Sequence, residues 1–123
     1  MMHQNRDVIR LRHMLDAAMK AVSHIAGKSR NDLDNDEILS LALVRLVEII
    51  GEAASQVTSE TQFLHSTIQW RDIIGTRNRL IHAYEAINLD ILWQILKVDL
   101  PVLIEKLKKT IEQETATDQE KLF

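Results

Sequence analysis

The sequence predicts an all-α protein: an antiparallel bundle of four to five helices that pairs into a homodimer. Three observations predict it. Only 3 glycines and 1 proline occur in 123 residues, which leaves little room for hairpins, and good helix formers dominate. Apolar residues recur at steps of three and four over long stretches. Residues 36–57 carry too many apolar positions for one stripe, among them Ile38, Leu39, Leu41, Leu43, Val44, Leu46, Val47, Ile49 and Ile50. A helix apolar so far round is buried on more than one side, here against its own core and a second subunit. The alternative is the central helix of a monomeric bundle.

Residues 6–26 form the first helix, with Val8, Leu11, Leu15, Ala18, Val22 and Ile25 on its stripe, frayed residues before it and Gly27 as its stop. His13 and His24 fall off that stripe and read as exposed. Residues 28–35 are polar and read as a loop with capping candidates. The second helix spans 36–57, and Gly51 within it marks a close approach of another element. Glu52 is a surface residue or the partner of an arginine in the stretch 70–84. Residues 58–69 are polar, with one short turn capped by Ser59, and His65 reads as exposed. The stretch 70–84 is a third helix. Asn88 caps the last helix, residues 89–114, in which Pro101 removes a backbone donor and sets a kink, and Trp93 packs. Residues 1–114 make a single domain, and 115–123 a disordered polar tail.

The composition narrows the function. There is no cysteine, which removes disulfides, thiol catalysis and Cys-based zinc sites. No segment approaches 18 uncharged apolar residues, and charge falls early, so neither a membrane span nor a signal peptide is expected and the cytoplasm is the default location. The net charge of −3 argues against a broad grip on duplex nucleic acid. A local phosphate site built from Arg71, Arg77, Arg79 and His82 remains open.

Those residues lie in the one stretch where charge, imidazole, amide and phenol gather. Trp70, Ile73, Ile74, Arg77, Leu80, Ile81 and Tyr84 share one helical face, so Arg77 lies in or beside an apolar stripe. Asn78 and His82 stack on a neighbouring face. On a continuous helix Arg77 and His82 would be about 140° and 7.5 Å apart. They reach one cleft from the two sides of a helix edge, or if the helix loosens near His82. Tyr84 would lie roughly 200° from His82, so the helix must end or distort near Ala83, or a second subunit must reach across.

The residues favour metal-free chemistry. His82 and Glu85 have no matching pair to complete a metal site, and phosphate loops and nucleophile elbows are absent. An arginine with a histidine suits RNA cleavage. Histidine takes the proton of a 2′-hydroxyl or gives one to the leaving 5′-oxygen, and arginine forks onto phosphate oxygens. One chain offers one such histidine; a two-fold dimer supplies acid and base together. Taken alone, the Arg-x4-His spacing also fits a structural arginine beside a surface histidine.

The segment Ile50-Gly51-Glu52-Ala53, then Gly75-x-Arg77-Asn78-x3-His82-x-Tyr84, then Trp93 and Asp99-Leu100-Pro101, resembles the HepT-like group of HEPN-domain proteins, in the family's order and over most of the chain. Thr76 stands where methionine is common, and a frequent proline before Trp70 is absent. The resemblance implies an all-helical dimer with a metal-independent, cofactor-free endoribonuclease site in the cleft between subunits. Arg77 and His82 would be catalytic, with Asn78, Arg79 and Arg71 assisting on RNA and Glu52 a possible orienting carboxylate. It implies a type VII-like toxin–antitoxin module in which a minimal nucleotidyltransferase transfers AMP from ATP onto Tyr84. Two other readings stay open: a catalytically idle helical dimer that binds nucleotide or the nucleotidyltransferase, and a structural dimer with Arg77 bridged to Glu52 or Glu48 and no open cleft.

Overall fold

The computed structural model describes residues 2–81 and 86–121, with side chains described over 6–81 and 86–117. Its helices are α1 (Met2–His24), α2 (Arg30–Asn35), α3 (Glu37–Ser55), α4 (Ser59–Leu64), α5 (Trp70–Ile74), α6 (Thr76–Leu80), α7 (Leu89–Gln94) and α8 (Leu100–Lys121). A π-helical turn, Ile95–Asp99, joins α7 to α8. Among the described residues the one extended pairing is an isolated bridge between Ile81 and Ile87. The fold is all-α, as the apolar spacing predicts.

Four columns make the bundle: α1, α3, α5–α6, and α7–α8. Side-chain ties fix their directions. Asp7, near the start of α1, accepts hydrogen bonds from the Thr58 amide and the Thr58 and Thr61 hydroxyls, just beyond the end of α3. So α1 and α3 run antiparallel. At the opposite end Arg30 of α2 bridges Asp34 and, 2.8 Å away, Asp90 at the start of α7. Far along α8, Glu114 meets His65 at 2.9 Å, so α7–α8 also opposes α1. The core between these columns includes Leu11, Met14 and Ala18 of α1, Leu43, Val47 and Ile50 of α3, and Leu80, Leu92, Leu96 and Leu107. Each such leucine, isoleucine, valine or methionine side chain contributes about 1.5–3 kcal/mol on burial.

Several elements depart from the expectations, each for a local reason. Residues 28–35 are not all loop: Ser29 and Asp32 form a capping box that starts α2. The turn after α3 is capped by Thr58, whose hydroxyl accepts from the Thr61 amide, and not by Ser59. α8 continues to Lys121, past the Glu114 boundary, because Ile111 and Glu114 are themselves buried and carry the packed face further. Pro101 produces a wider turn ahead of it: Pro101 cannot donate, and Leu100 N–H reaches back to the Ile95 carbonyl. Asn88 caps α7 as expected, accepting from the Ile91 amide, and Trp93 packs half-buried under Lys97. His13 and His24 are exposed.

Asp7 is 1% exposed. Its carboxylate satisfies the entry to α4 and pins both ends of the bundle's first hairpin. Asp7→Asn keeps the shape but exchanges an acceptor for a donor, so stability should fall by about 1–3 kcal/mol, read as a lower midpoint of urea unfolding at unchanged slope.

Candidate functional site

The stretch from Trp70 is positioned from behind by α3. Trp70 is buried and donates its indole N–H to the His65 carbonyl, 3.1 Å away. His65 is itself half-buried against Glu114, so the expectation of an exposed histidine is corrected: the two lie 49 residues apart, and spacing does not reveal the contact. Gly51 of α3 lets α5 come close. A Cβ there would stand 3.0 Å from the Ile73 carbonyl oxygen and 3.7 Å from that of Ile74. This is the close approach the sequence predicts for that glycine.

The stretch is not one helix. α5 ends at Ile74, Gly75 breaks the column, and α6 ends at Leu80. Ile81 is extended, with φ −104° and ψ 116°, and the chain returns to pair Ile87 with it. The Asn88 amide donates to the Leu80 carbonyl at 2.8 Å. So the helix ends before His82, the second of the two ways in which Arg77 and His82 could share a cleft. His82 and Tyr84 themselves lie outside the described residues.

The face predicted for this stretch splits. Trp70, Thr76 and Leu80 are buried, whereas Ile74 and Arg77 are exposed. Thr76, four positions before Leu80, enters on the buried side by satisfying its own hydroxyl on the Asp72 carbonyl at 2.8 Å. Arg77 lies at the edge of α6 against α3. Its Nε meets Glu48 Oε2 at 3.1 Å, with the arginine side chain 69% exposed. The other oxygen of Glu48 is 4.0 Å from Arg45. Glu48 is thus the carboxylate that holds Arg77; the pairing engages Nε, and among the described residues the Nη atoms make no ion pair. Glu52, one turn further on α3, is exposed and makes no ion pair among the described residues.

The three arginines of the stretch do not converge. Arg77 faces Glu48; Arg79 lines a cleft of about 450 Å³ between α5–α6 and the start of α8, opposite Asp99 and Lys106. Arg71 lines a shallow recess beside α4. Arg71 and Arg77 lie on different helices across the break at Gly75, and Arg77 and Arg79 are two positions apart, about 200° round α6, so they face apart within one subunit. Asn78 is exposed between Arg77 and Arg79. The single phosphate site built from all three arginines is therefore replaced by one arginine held on an acidic support and two on separate surfaces. Arg45 is the residue that sequence reasoning missed; its spacing of three from Glu48 on one α3 face was the available signal. Among the described residues no group of three His, Asp or Glu side chains is arranged to hold a metal ion. No helix among them is long and apolar enough to cross a membrane.

A family model described as Ribonuclease HepT-like matches residues 14–110. A protein named as a candidate RNase in Caldanaerobacter subterraneus subsp. tengcongensis is 34% identical over 104 residues, covering 85% of this chain and 93% of that protein. Another so named, from Methanocaldococcus jannaschii, is 31% identical over 99 residues, 80% of this chain and 87% of the relative. A protein named as a probable ribonuclease HepT in Thermococcus cleftensis is 39% identical over 77 residues, 60% of this chain and 70% of that protein. No solved structure matches the chain.

Proposed function

Because the chain belongs to the HepT-like ribonuclease family, we propose that it is a metal-independent endoribonuclease, the toxin of a two-gene module. The observation that carries this reading is the end of α6 at Leu80, before His82. A continuous helix would hold Arg77 and His82 about 140° apart. With Ile81 already extended, that constraint is gone.

In this mechanism the His82 imidazole of one subunit takes the proton of a 2′-hydroxyl. The freed oxygen attacks the adjacent phosphorus, the bond from phosphorus to the 5′-oxygen breaks, and His82 of the second subunit protonates that oxygen. The products are a 2′,3′-cyclic phosphate and a 5′-hydroxyl. Arg77, steadied through Nε by Glu48, presents its remaining donors to the phosphate oxygens as charge grows on them. Purified protein should cut RNA in the presence of chelator and leave cyclic phosphate ends; intact RNA after prolonged incubation would count against the reading.

The dimer has its own support. On α3, Ile38 and Leu41 are 81% and 51% exposed, and they continue at helical spacing into Arg45 and Glu48. A two-fold contact along this stripe would bring two Arg77–Glu48 pairs to one seam. The double substitution Ile38→Glu and Leu41→Glu should give a folded monomer by light scattering, with cleavage lost; a dimer that persists would place the contact elsewhere.

The control is the transfer of AMP from ATP by a minimal nucleotidyltransferase onto Tyr84. The added group would block RNA by bulk and by repelling its phosphates. Incubation with that enzyme should add one AMP mass to the wild type, silence cleavage, and leave Tyr84→Phe unmodified and active.

The Arg77–Glu48 pair is the contact expected of a plain structural dimer, and it leaves the catalytically idle dimer that binds nucleotide or the nucleotidyltransferase open as well. An ion pair this exposed contributes only about 0–1 kcal/mol, so a purely structural role would be weak.

A further inference from the structure

Phe63 is 83% exposed on α4, more than any other aromatic side chain of the described residues. Its surroundings are polar. The recess it shares is lined by Ser59, Ser66, Gln69, Arg71 and Asp72. A surface shaped for a protein partner has an apolar centre with a polar rim. Here Phe63 is the one exposed ring; the buried Trp70 also lines the recess, and the rest of the lining is hydroxyls, two amides and two opposite charges. That combination suits a flat, polar-edged group with an anionic tether: the ring stacks on its face, Arg71 meets the phosphate, and Gln69 and Asp72 face its hydrogen-bonding edge. Arg71 makes no ion pair among the described residues, and its guanidinium is exposed. The recess adjoins the first turn of α5, the column whose continuation α6 carries Arg77. Arg71 on α5 and Arg77 on α6 are six positions apart, with the break at Gly75 between them.

The geometry points to Phe63 and Arg71 as a stacking shelf for a flanking base of single-stranded RNA, held at the far end of the column that carries Arg77. This rests on the ribonuclease reading and adds a substrate-positioning residue to it. The shelf makes unpaired RNA the preferred substrate, because a base inside a duplex has no free face to stack.

The test measures affinity without cleavage, by fluorescence anisotropy of a labelled, uncleavable 2′-O-methyl single strand on the full-length protein. Phe63→Ala should weaken binding about tenfold, the effect of losing one stacked base. Phe63→Trp should restore it, and Phe63→Leu, apolar but not aromatic, should not. The same strand annealed to its complement should show no dependence on residue 63. Wild-type binding with no loss in Phe63→Ala, full binding by Phe63→Leu, or an equal loss on the duplex would each overturn the shelf while leaving the ribonuclease reading standing. Loss of nucleotidyltransferase capture in Phe63→Ala, with RNA binding intact, would reassign the ring to a protein contact. A wild type that neither binds nor cuts RNA would remove the shelf together with the function it serves.

Discussion

His82→Ala is expected to abolish RNA cleavage while the protein stays folded and dimeric. In a two-fold site the substitution removes the general base and the general acid together. Each such group contributes typically 10²–10⁴-fold, so the combined loss should reach about 10⁴ or more. Arg77→Ala should cost about 10²–10³ in turnover, the scale for one group that stabilises a transition-state charge. Arg77→Lys keeps the charge but not the fork, and should fall between the two. Stability separates this from a structural role. The Arg77 side chain is 69% exposed, so Arg77→Ala should move the unfolding free energy by less than about 1 kcal/mol. Gel assays with chelator present, alongside urea unfolding and circular dichroism, read both quantities. Retained cleavage in His82→Ala would defeat the mechanism.

Gly51→Val should destabilise the protein by about 2–3 kcal/mol and disturb activity beyond the loss of folded molecules. A Cβ at position 51 already comes 3.0 Å from the Ile73 carbonyl, a backbone atom that cannot rotate aside as a side chain tip would. Two further methyls deepen the overlap, and overpacking of this kind costs about 1–3 kcal/mol. Gly51→Ala is milder, because gained helix propensity of up to about 1 kcal/mol offsets part of the strain. α5 must move outward to make room, and α6 follows through Gly75, taking Arg77 away from Glu48. A displacement near 1 Å can cost about 10² in rate. The folded fraction of Gly51→Val should therefore exceed its residual cleavage. Equal losses would mean that Gly51 serves stability alone.

The helices were legible wherever neighbours in sequence decide the structure. The α1 and α3 columns follow from apolar steps of three and four, the α7 cap from Asn88, and the need for space at Gly51 from a glycine amid helix formers. The contacts that spacing could not show join distant residues. Asp7 reaches Thr58 and Thr61 across 51 and 54 positions, and His65 reaches Glu114 across 49. Nothing local distinguishes these buried polar groups from surface ones. The halt at Leu80 was foreseen only as one way for the site geometry to work, a loosening near His82, and the break at Gly75 was not foreseen.

By itself, the order of residues determined an all-helical bundle, its main columns and its likeness to its family, because helical periodicity and caps act over a few positions. Only tertiary packing decided that Arg77 stands outside on Glu48, that Arg71 and Arg79 serve other surfaces, and that α6 stops at Leu80. Those outcomes depend on which columns meet and how closely. Such meetings are selected by burial of the whole core and not by any short run of the chain.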